Sequence, residues 1–319
     1  MTTVLPMLSI VVPIYFEEDT LPQFYDRLKG VMEQLASAAK YELIFVNDGS
    51  TDRSLDLLRQ LSRDDNSIRV IGFSRNFGHQ VAITAGIDHA QGDAVVVIDG
   101  DLQDPPEVIP EMFAKWQDGY KVVYGVRNSR KGESAFKLIT ARVFYRCINY
   151  LSDVHLPLDA GDFRLMDRVV VDALCSIREE NRYIRGLVSW VGFPQFALSY
   201  DRDSRYAGET KFNLRKMLKF AFDGITGFSD RPLRISSKLG ILCTITSFAM
   251  IIWLIYSKIT SPSSTIQGWT SLLVVVLFLG GIQLLSIGLL GEYIGRIHRE
   301  TKKRPLYVVA EKIGFNNVD

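Results

Sequence analysis

The sequence predicts an α/β fold: a doubly wound, Rossmann-like sheet domain through the first two thirds of the chain, then a hairpin of two apolar helices. Three observations predict it. Short β-branched apolar runs alternate with segments of helical periodicity. Each run stops at polar residues of the kinds that bind ligands, and two long stretches near the C-terminus contain no charge.

Ser9-Ile10-Val11-Val12-Pro13 reads as the first strand, ending in Tyr15 and Glu17 ahead of a helix with Leu21, Phe24, Leu28 and Met32 on one face. Leu43 to Val46 is the second. It stops at Asn47-Asp48-Gly49-Ser50-Thr51, and Ser50 or Thr51 is expected to cap a helix from Leu55 to Leu61. Arg69 to Phe73 is the third strand, followed by Arg75-Asn76-Phe77-Gly78 and a helix through Ala90. Ala94 to Ile98 is the fourth, too short for a helix and apolar on both faces, as in parallel sheets. After a fifth strand, Val122 to Gly125, comes a basic loop with Arg127, Arg130 and Lys131 and a helix from Phe136 to Leu151. Asp159-Ala160-Gly161-Asp162-Phe163-Arg164 reads as a loop holding two acids. Val169 to Cys175 and Asn181 to Trp190 read as helices, with Trp190 in the core. The alternation implies a parallel sheet.

From Phe212 to Phe228, Leu214, Met217, Leu218, Ala221, Ile225 and Phe228 share one helical face and Arg215, Lys216 and Lys219 lie elsewhere, the pattern of an interfacial amphipathic helix. Between Lys238 and Lys258, and again from Ile259 through Gly291, there is no charged residue, so each stretch is long enough to span a bilayer. Arg231, Arg234 and Lys238 precede the pair and Arg296, Arg299, Lys302, Lys303 and Arg304 follow it, against Lys258 alone at the Ser/Thr/Pro-rich link. The positive-inside rule then puts both termini in the cytoplasm, with the protein in the cytoplasmic membrane. The expected organisation is a cytosolic domain over 1–209, juxtamembrane helices over 210–235, spans over 236–258 and 268–292, and a cytosolic tail over 293–319. Pro305 to Val309 reads as a strand able to pair with a second copy, which would make a homo-oligomer. Leu8 to Tyr15, broken by Pro13 and followed by acids, is a first strand and not a signal peptide. A net charge of +1 argues against nucleic acid as a partner, and three scattered cysteines, an odd number, argue for free thiols in a reducing compartment.

Glu17, Asp48, Arg75, and Asp99 with Asp101 end successive strands, so a parallel sheet would deliver them to one edge, where open α/β sheets bind ligands. Alone, Asp99-Gly100-Asp101 is more often a turn than a site. In this company the two carboxylates suit Mg²⁺ or Mn²⁺ together with substrate phosphates. No Walker loop and no GxGxxG is present, so a bound nucleotide's diphosphate would rest on metal and side chains. Arg202, Arg205 and Lys211, around Tyr206-Ala207-Gly208-Glu209-Thr210, have the donors of a phosphate site or of a solvated basic loop. The amphipathic helix after them favours a lipid headgroup phosphate.

The segments VVPIYFEE, VNDGSTD, SRNFGHQVAITAG, IDGDLQDPPE, DAGDFRLMDR, NRYIRGLVSWVGF, RYAGETKF and FSDRPLR, in this order along nearly the whole chain, resemble the family-2 glycosyltransferases of the polyprenyl-phosphate class. Within that class the chain is most similar to bacterial bactoprenol glucosyltransferases, and it is related to dolichol-phosphate mannose synthase. The resemblance implies a GT-A fold and inverting transfer of a sugar, glucose from UDP-glucose first among the donors, to polyprenyl phosphate. It implies that Pro13, Tyr15, Glu17 and Asp48 contact base and ribose, and that Asp99, Asp101 and Gln103 bind or orient metal and diphosphate. Asp162, with Asp159, would face the reacting sugar, and Arg205 and Lys211, with Arg202 and Arg127, the acceptor phosphate. Phe16 departs from the family, which has Asn after the tyrosine. An acceptor phosphate, with a second pKa of about 6, is largely ionised at neutral pH, so Asp162 is expected to orient and not to act as a base. A processive polysaccharide synthase is the rival enzyme, but its Gln-x-x-Arg-Trp motif is missing. A nucleotide-sugar-binding membrane subunit without turnover is the rival from another class.

Overall fold

The computed structural model describes residues 5–127, 160–180, 182–201, 231–260 and 269–315. The expected helices over 136–151 and 212–228 fall outside them, as does the link of the hairpin. In chain order the elements are β1 (Met7–Ile14), α1 (Leu21–Leu35), β2 (Lys40–Asn47), α2 (Ser54–Asp64), β3 (Ile68–Phe73), α3 (His79–His89), β4 (Ala94–Val97), α4 (Ile109–Gln117), β5 (Val122–Arg127) and β6 (Ala160–Asp167). Then come α5 (Arg168–Ser176), α6 (Ile184–Val191), β7 (Gln195–Tyr200), α7 (Arg231–Thr260), α8 (Trp269–Thr301) and β8 (Val309–Ile313). Described residues up to Asp201, with Arg304 to Phe315, form one compact unit, and those from Arg231 to Lys303 form another.

Among the described residues the strands form one eight-stranded sheet in the order β7-β5-β6-β4-β1-β2-β3-β8. β4, β1, β2 and β3 are mutually parallel, as the apolar runs predict. Their side chains are buried on both faces: Ile10, Val11, Val12, Leu43 to Val46 and Ala94 to Val96 have no exposed surface. Helix α3 lies close on this sheet because Gly86 presents no side chain; a Cβ there would sit 2.1 Å from Val11 Cγ1.

The sheet is mixed and not wholly parallel. The segment read as an acidic loop is largely β6, antiparallel between β4 and β5, with Val97 opposite Arg164 and Val122 opposite Met166. Charge hid it: Asp162 and Arg164 stand inside a buried strand, and Arg164 is satisfied within it, its guanidinium donating to Gly161 O at 2.8 Å and Asp162 O at 3.3 Å. Helix α2 is not capped by Ser50 or Thr51. Its N-cap is Arg53, without a side-chain cap, and Ser50 Oγ instead accepts from Phe16 N–H. Trp190 is not core: it is 64% exposed at the end of α6, while Ile184, Leu187 and Val188 supply that helix's buried face. The tail strand begins four residues later than expected, at Val309, and pairs antiparallel with β3 of the same chain.

In the second unit α7 and α8 are helices of 30 and 33 residues. Ser236 Oγ and Ser286 Oγ meet at 2.7 Å between them. Among the described residues one helical segment, Phe278–Thr301, is long and apolar enough to cross a membrane.

Candidate active site

Because β4, β1, β2 and β3 are parallel neighbours, their carboxyl ends share one edge. Pro13 lies in β1 beside Val46. The chain leaves β1 through Tyr15 and Phe16, exposed rings with centroids 4.4 Å apart. Phe16 has φ +57°, the left-handed region that costs a branched or bulky L-residue energy and that Asn tolerates. Glu17 Oε2 accepts from Thr20 Oγ1 at 2.6 Å, and its backbone N–H donates to Ser54 Oγ at 3.0 Å, which ties this turn to α2.

Asp48, at the end of β2, is 2% exposed. Its Oδ1 accepts from Phe77 N–H at 2.7 Å, and its Oδ2 accepts from Gly78 N–H and Asn76 Nδ2, each at 2.9 Å. Burial raises its carboxyl above the usual range, and these backbone donors oppose the rise. The carboxylate therefore fixes the turn into α3. Gly49 beside it has φ +68°, and a Cβ would strike the Arg75 carbonyl carbon at 2.4 Å. Arg75 itself stacks on Phe77, with Cζ 3.9 Å from the ring centroid.

Asp99, Gly100 and Asp101 follow β4. A side chain at Gly100 would meet Ile14 Cδ1 at 2.7 Å, so glycine lets the turn close on β1. Leu102 is buried at φ +62°, a strained conformation of the kind held at binding sites by surrounding structure. The strain reverses the chain so that Gln103 N–H donates to Asp101 Oδ1 at 3.1 Å. Asp99 Oδ1 and Gln103 Oε1 are buried and accept no hydrogen bond. Burial pushes the Asp99 carboxyl up to about 6; His79 opposes the rise, and Asp162, Asp104 and Asp101 add to it.

Asp162 enters from β6 and is 6% exposed at its side chain. Arg185, on α6, grips it with Nε to Oδ1 at 2.8 Å and Nη2 to Oδ2 at 3.1 Å. Oδ2 also accepts from Gln80 Nε2 at 3.1 Å and lies 3.2 Å from His79 Nε2. Gln80 Oε1 in turn accepts from Ile184 N–H at 2.9 Å, so α3 and α6 are linked through this carboxylate. Burial alone would raise Asp162; Arg185 and His79 overcome it and hold the carboxyl well below its ordinary range. His79 Nε2 also lies 3.5 Å from Asp99 Oδ1. Burial disfavours its charge, but the two carboxylates prevail and raise the imidazole to about 9.

Asp99 and Asp162, far apart in sequence, thus meet across His79. Asp101 and Gln103 join them through the turn after β4, whereas Glu17 and Asp48 serve the loops beside it. Arg127, at the end of β5, donates through Nε to Tyr200 Oη at 3.4 Å and lies 3.6 Å from Asp104 Oδ1. Asp159, Arg202, Arg205 and Lys211 lie outside the described residues. His79, Gln80 and Arg185 were not assigned roles from sequence. They stand inside motifs that single themselves out, GHQ and NRYIRG, but they come together on Asp162 only where α3 and α6 converge on β6.

The donor set suits a hard divalent cation: all its atoms are oxygens, and two of them are buried with no hydrogen bond to satisfy them. Among the described residues no group of three His, Cys, Asp or Glu side chains forms a cage. An ion held by one or two carboxylates would complete its shell with water and substrate phosphate, as Mg²⁺ commonly does.

The family model for glycosyl transferase family 2 matches residues 9–175, and that for the GtrB C-terminal hairpin matches residues 231–297. An uncharacterized glycosyltransferase of Bacillus subtilis, YkcC, is 55% identical over 309 residues, covering 97% of this chain and 95% of its own. The prophage bactoprenol glucosyl transferase homolog of Escherichia coli is 43% identical, with 95% of this chain and 98% of its own covered. The bactoprenol glucosyl transferase of Shigella phage SfV is 41% identical, covering 95% of this chain and 97% of its own. With the carboxylates of its GT-A-type sheet edge in place and this likeness over nearly its full length, the chain belongs to glycosyl transferase family 2 and is a transferase with a GtrB-type C-terminal hairpin.

Proposed function

We propose that this protein is a membrane-bound inverting glycosyltransferase that moves glucose from UDP-glucose to polyprenyl phosphate, undecaprenyl phosphate in bacteria, on the cytoplasmic face. The product would be a lipid-linked sugar for modification of cell-envelope glycans. The likeness to bactoprenol glucosyl transferases over nearly the whole chain supports the acceptor class. The observation that carries the chemistry is the state of Asp162: ionised, and engaged by Arg185, Gln80 and His79. A sugar hydroxyl as acceptor would need a general base poised near neutral pH, which Asp162, held well below its ordinary range, does not supply; Asp99, raised to about 6, is assigned to the metal on this reading. A phosphate monoester has a second pKa of about 6 and attacks without one.

On this reading Asp101 and Asp99, with Gln103, would hold Mg²⁺ or Mn²⁺. When bound, the ion supplies Lewis-acid stabilisation of the charge that develops on the departing diphosphate. Tyr15 and Phe16 would present their faces to the base, and Glu17 would lie toward the ribose. Asp48 would act from behind, by fixing the turn from which His79 and Gln80 project. Asp162 would keep Arg185 and His79 in place around the sugar. Arg205 and Lys211, with Arg202, would receive the acceptor phosphate as it arrives from the membrane side. The domain boundaries read from sequence fit this division between a soluble donor and a lipid acceptor.

Incubating the detergent-solubilised full chain with radiolabelled UDP-glucose, undecaprenyl phosphate and Mg²⁺ should yield a labelled, acid-labile lipid. A panel including UDP-N-acetylglucosamine and GDP-mannose ranks the donors. If no donor in the panel labels the lipid, the catalytic reading is wrong and a sugar-nucleotide-binding subunit replaces it.

A further inference from the structure

Asp104 immediately follows Gln103 and has no exposed surface. Its Oδ1 accepts from Tyr200 Oη at 2.5 Å, a short charge-assisted hydrogen bond. Tyr200 is the last residue of β7 and the register partner of Arg127 on β5, so the two side chains reach Asp104 from adjacent parallel strands.

The surroundings are built to admit them. A Cβ at Gly125 would lie 2.6 Å from Tyr200 Cε1, and one at Gly161 would lie 3.0 Å from Arg127 Nη2. The Tyr200 ring stands edge-on to Phe163, next to Asp162, at 5.6 Å and 87°. Two glycines on two strands therefore make room for one phenol and one guanidinium. Both of these groups converge on the carboxylate that ends the Asp99 to Gln103 turn, and Asp104 itself is too deeply buried to reach a substrate. Arg127, which the family resemblance assigns to the acceptor phosphate, has its guanidinium directed at this cluster.

We propose that Tyr200 and Arg127 are positioning residues for the donor side of the reaction: through Asp104 they fix the strained turn that presents Asp101 and Gln103 to the metal and diphosphate. This rests on the glycosyltransferase reading above and reassigns Arg127 from acceptor to donor. Loosening the turn should weaken the binding of metal and nucleotide together and leave recognition of the lipid phosphate unchanged.

Tyr200→Phe removes one hydroxyl and keeps the ring against Phe163. A hydrogen bond to a charged group is worth enough to predict about a tenfold weaker apparent affinity for Mn²⁺ in the presence of UDP. Isothermal titration of the full-length protein in detergent measures this without turnover. In the transfer assay the KM for UDP-glucose should rise by a similar factor, while the KM for undecaprenyl phosphate stays within about twofold. Arg127→Lys, which keeps the charge and loses the planar fork, should shift the same two quantities less than Arg127→Ala does. A rise confined to the lipid KM in the Arg127 variants would overturn the proposal and restore the acceptor role. Wild-type Mn²⁺ and UDP binding by a folded Tyr200→Phe, with its melting temperature retained, would overturn it as well. If Tyr200→Phe does not fold, Asp104→Asn serves in its place: the amide keeps an acceptor oxygen for the phenol but removes the charge that faces Arg127. It should show a smaller loss on the same donor side, and wild-type donor binding in it would sink the idea. Failure of the glycosyltransferase reading would look different: no labelled lipid from the wild type, with the titration result intact.

Discussion

At the scale of single residues, the centre is set by how each carboxylate is partnered. Asp162 is buried among donors, so Asp162→Asn leaves Arg185 facing an amide; breaking such a pair costs about 3 kcal/mol when one partner keeps some solvent contact. Because the folded carboxyl is held below its ordinary value, its contribution is present above about pH 4 and is lost only as pH falls through the depressed value. Thermal unfolding across pH should therefore find the wild type losing stability relative to the variant in acid and not near neutrality. Turnover of Asp162→Asn should fall while the shape of its pH profile stays put. A profile that moved with the missing carboxylate would make Asp162 a base. Phe16 offers the opposite case. Held at φ +57° with its ring exposed, it stores strain that Asn or Gly would release, so Phe16→Gly should raise stability by about 1 kcal/mol, read as a higher melting temperature. Cys175 makes a third test. Burial, then the Asp88 carboxylate, pushes its thiol up to about 11, so at pH 8 peptide mass spectrometry should find it largely unalkylated by iodoacetamide until the protein is unfolded.

At the scale of elements, β1 to β4 were legible because burial on both faces writes itself as an uninterrupted β-branched run. Their parallel order then followed from the helices between them. β6 was not legible for the converse reason. Its charged Asp162 and Arg164 are affordable in a sheet interior only because Arg185, Gln80 and two backbone carbonyls meet them, and those partners come from elements distant in sequence. The same holds for the candidate site: Asp99, Gly100 and Asp101 form a local motif visible in the sequence, whereas His79, Gln80, Arg185 and Tyr200 reach their carboxylate partners only by convergence of distant elements. β8 is a strand whose partner the sequence could not name. It covers the outer edge of β3, and Arg59 bridges to Glu311 through Nη2 at 2.7 Å and Nε at 3.2 Å. Both side chains are partly solvated, so Glu311→Gln should cost no more than about 1 kcal/mol. Truncation before Val309 is a larger change, since it bares a row of unpaired backbone groups on an apolar edge. Hydrogen exchange should then rise across Ile68–Phe73, with aggregation of the truncated protein. Unchanged protection of those amides would show that β8 is dispensable to the edge.

For the whole molecule, the proposed function asks how a nucleotide-sugar donor and a lipid acceptor would meet on one chain, and charge along the hairpin supplies the constraint. Helices of 30 and 33 residues exceed the ~20 that a bilayer core requires, so a crossing hairpin would leave part of each outside it. In α8 the surplus is identifiable: Glu292, Arg296 and Arg299 lie near its end, with Arg296 Nε 3.3 Å from Glu292 Oε1 and Arg299 Nη2 3.9 Å from the same oxygen. In a crossing hairpin an ion-paired cluster of this kind would sit at the interface, with Lys302, Lys303 and Arg304 beyond it in water. The positive-inside rule predicts a cytoplasmic location for that end, with Lys258 alone as counterweight at the link. In a cysteine-free background, Ser264→Cys should therefore react with a membrane-impermeant maleimide in intact cells, and Lys302→Cys only after lysis. The reverse pattern would place the glycosyltransferase domain on the side away from cytosolic sugar nucleotides. Labelling of neither position before lysis would mean that the hairpin does not cross, and that α7 and α8 dock the domain on the cytoplasmic surface from one side.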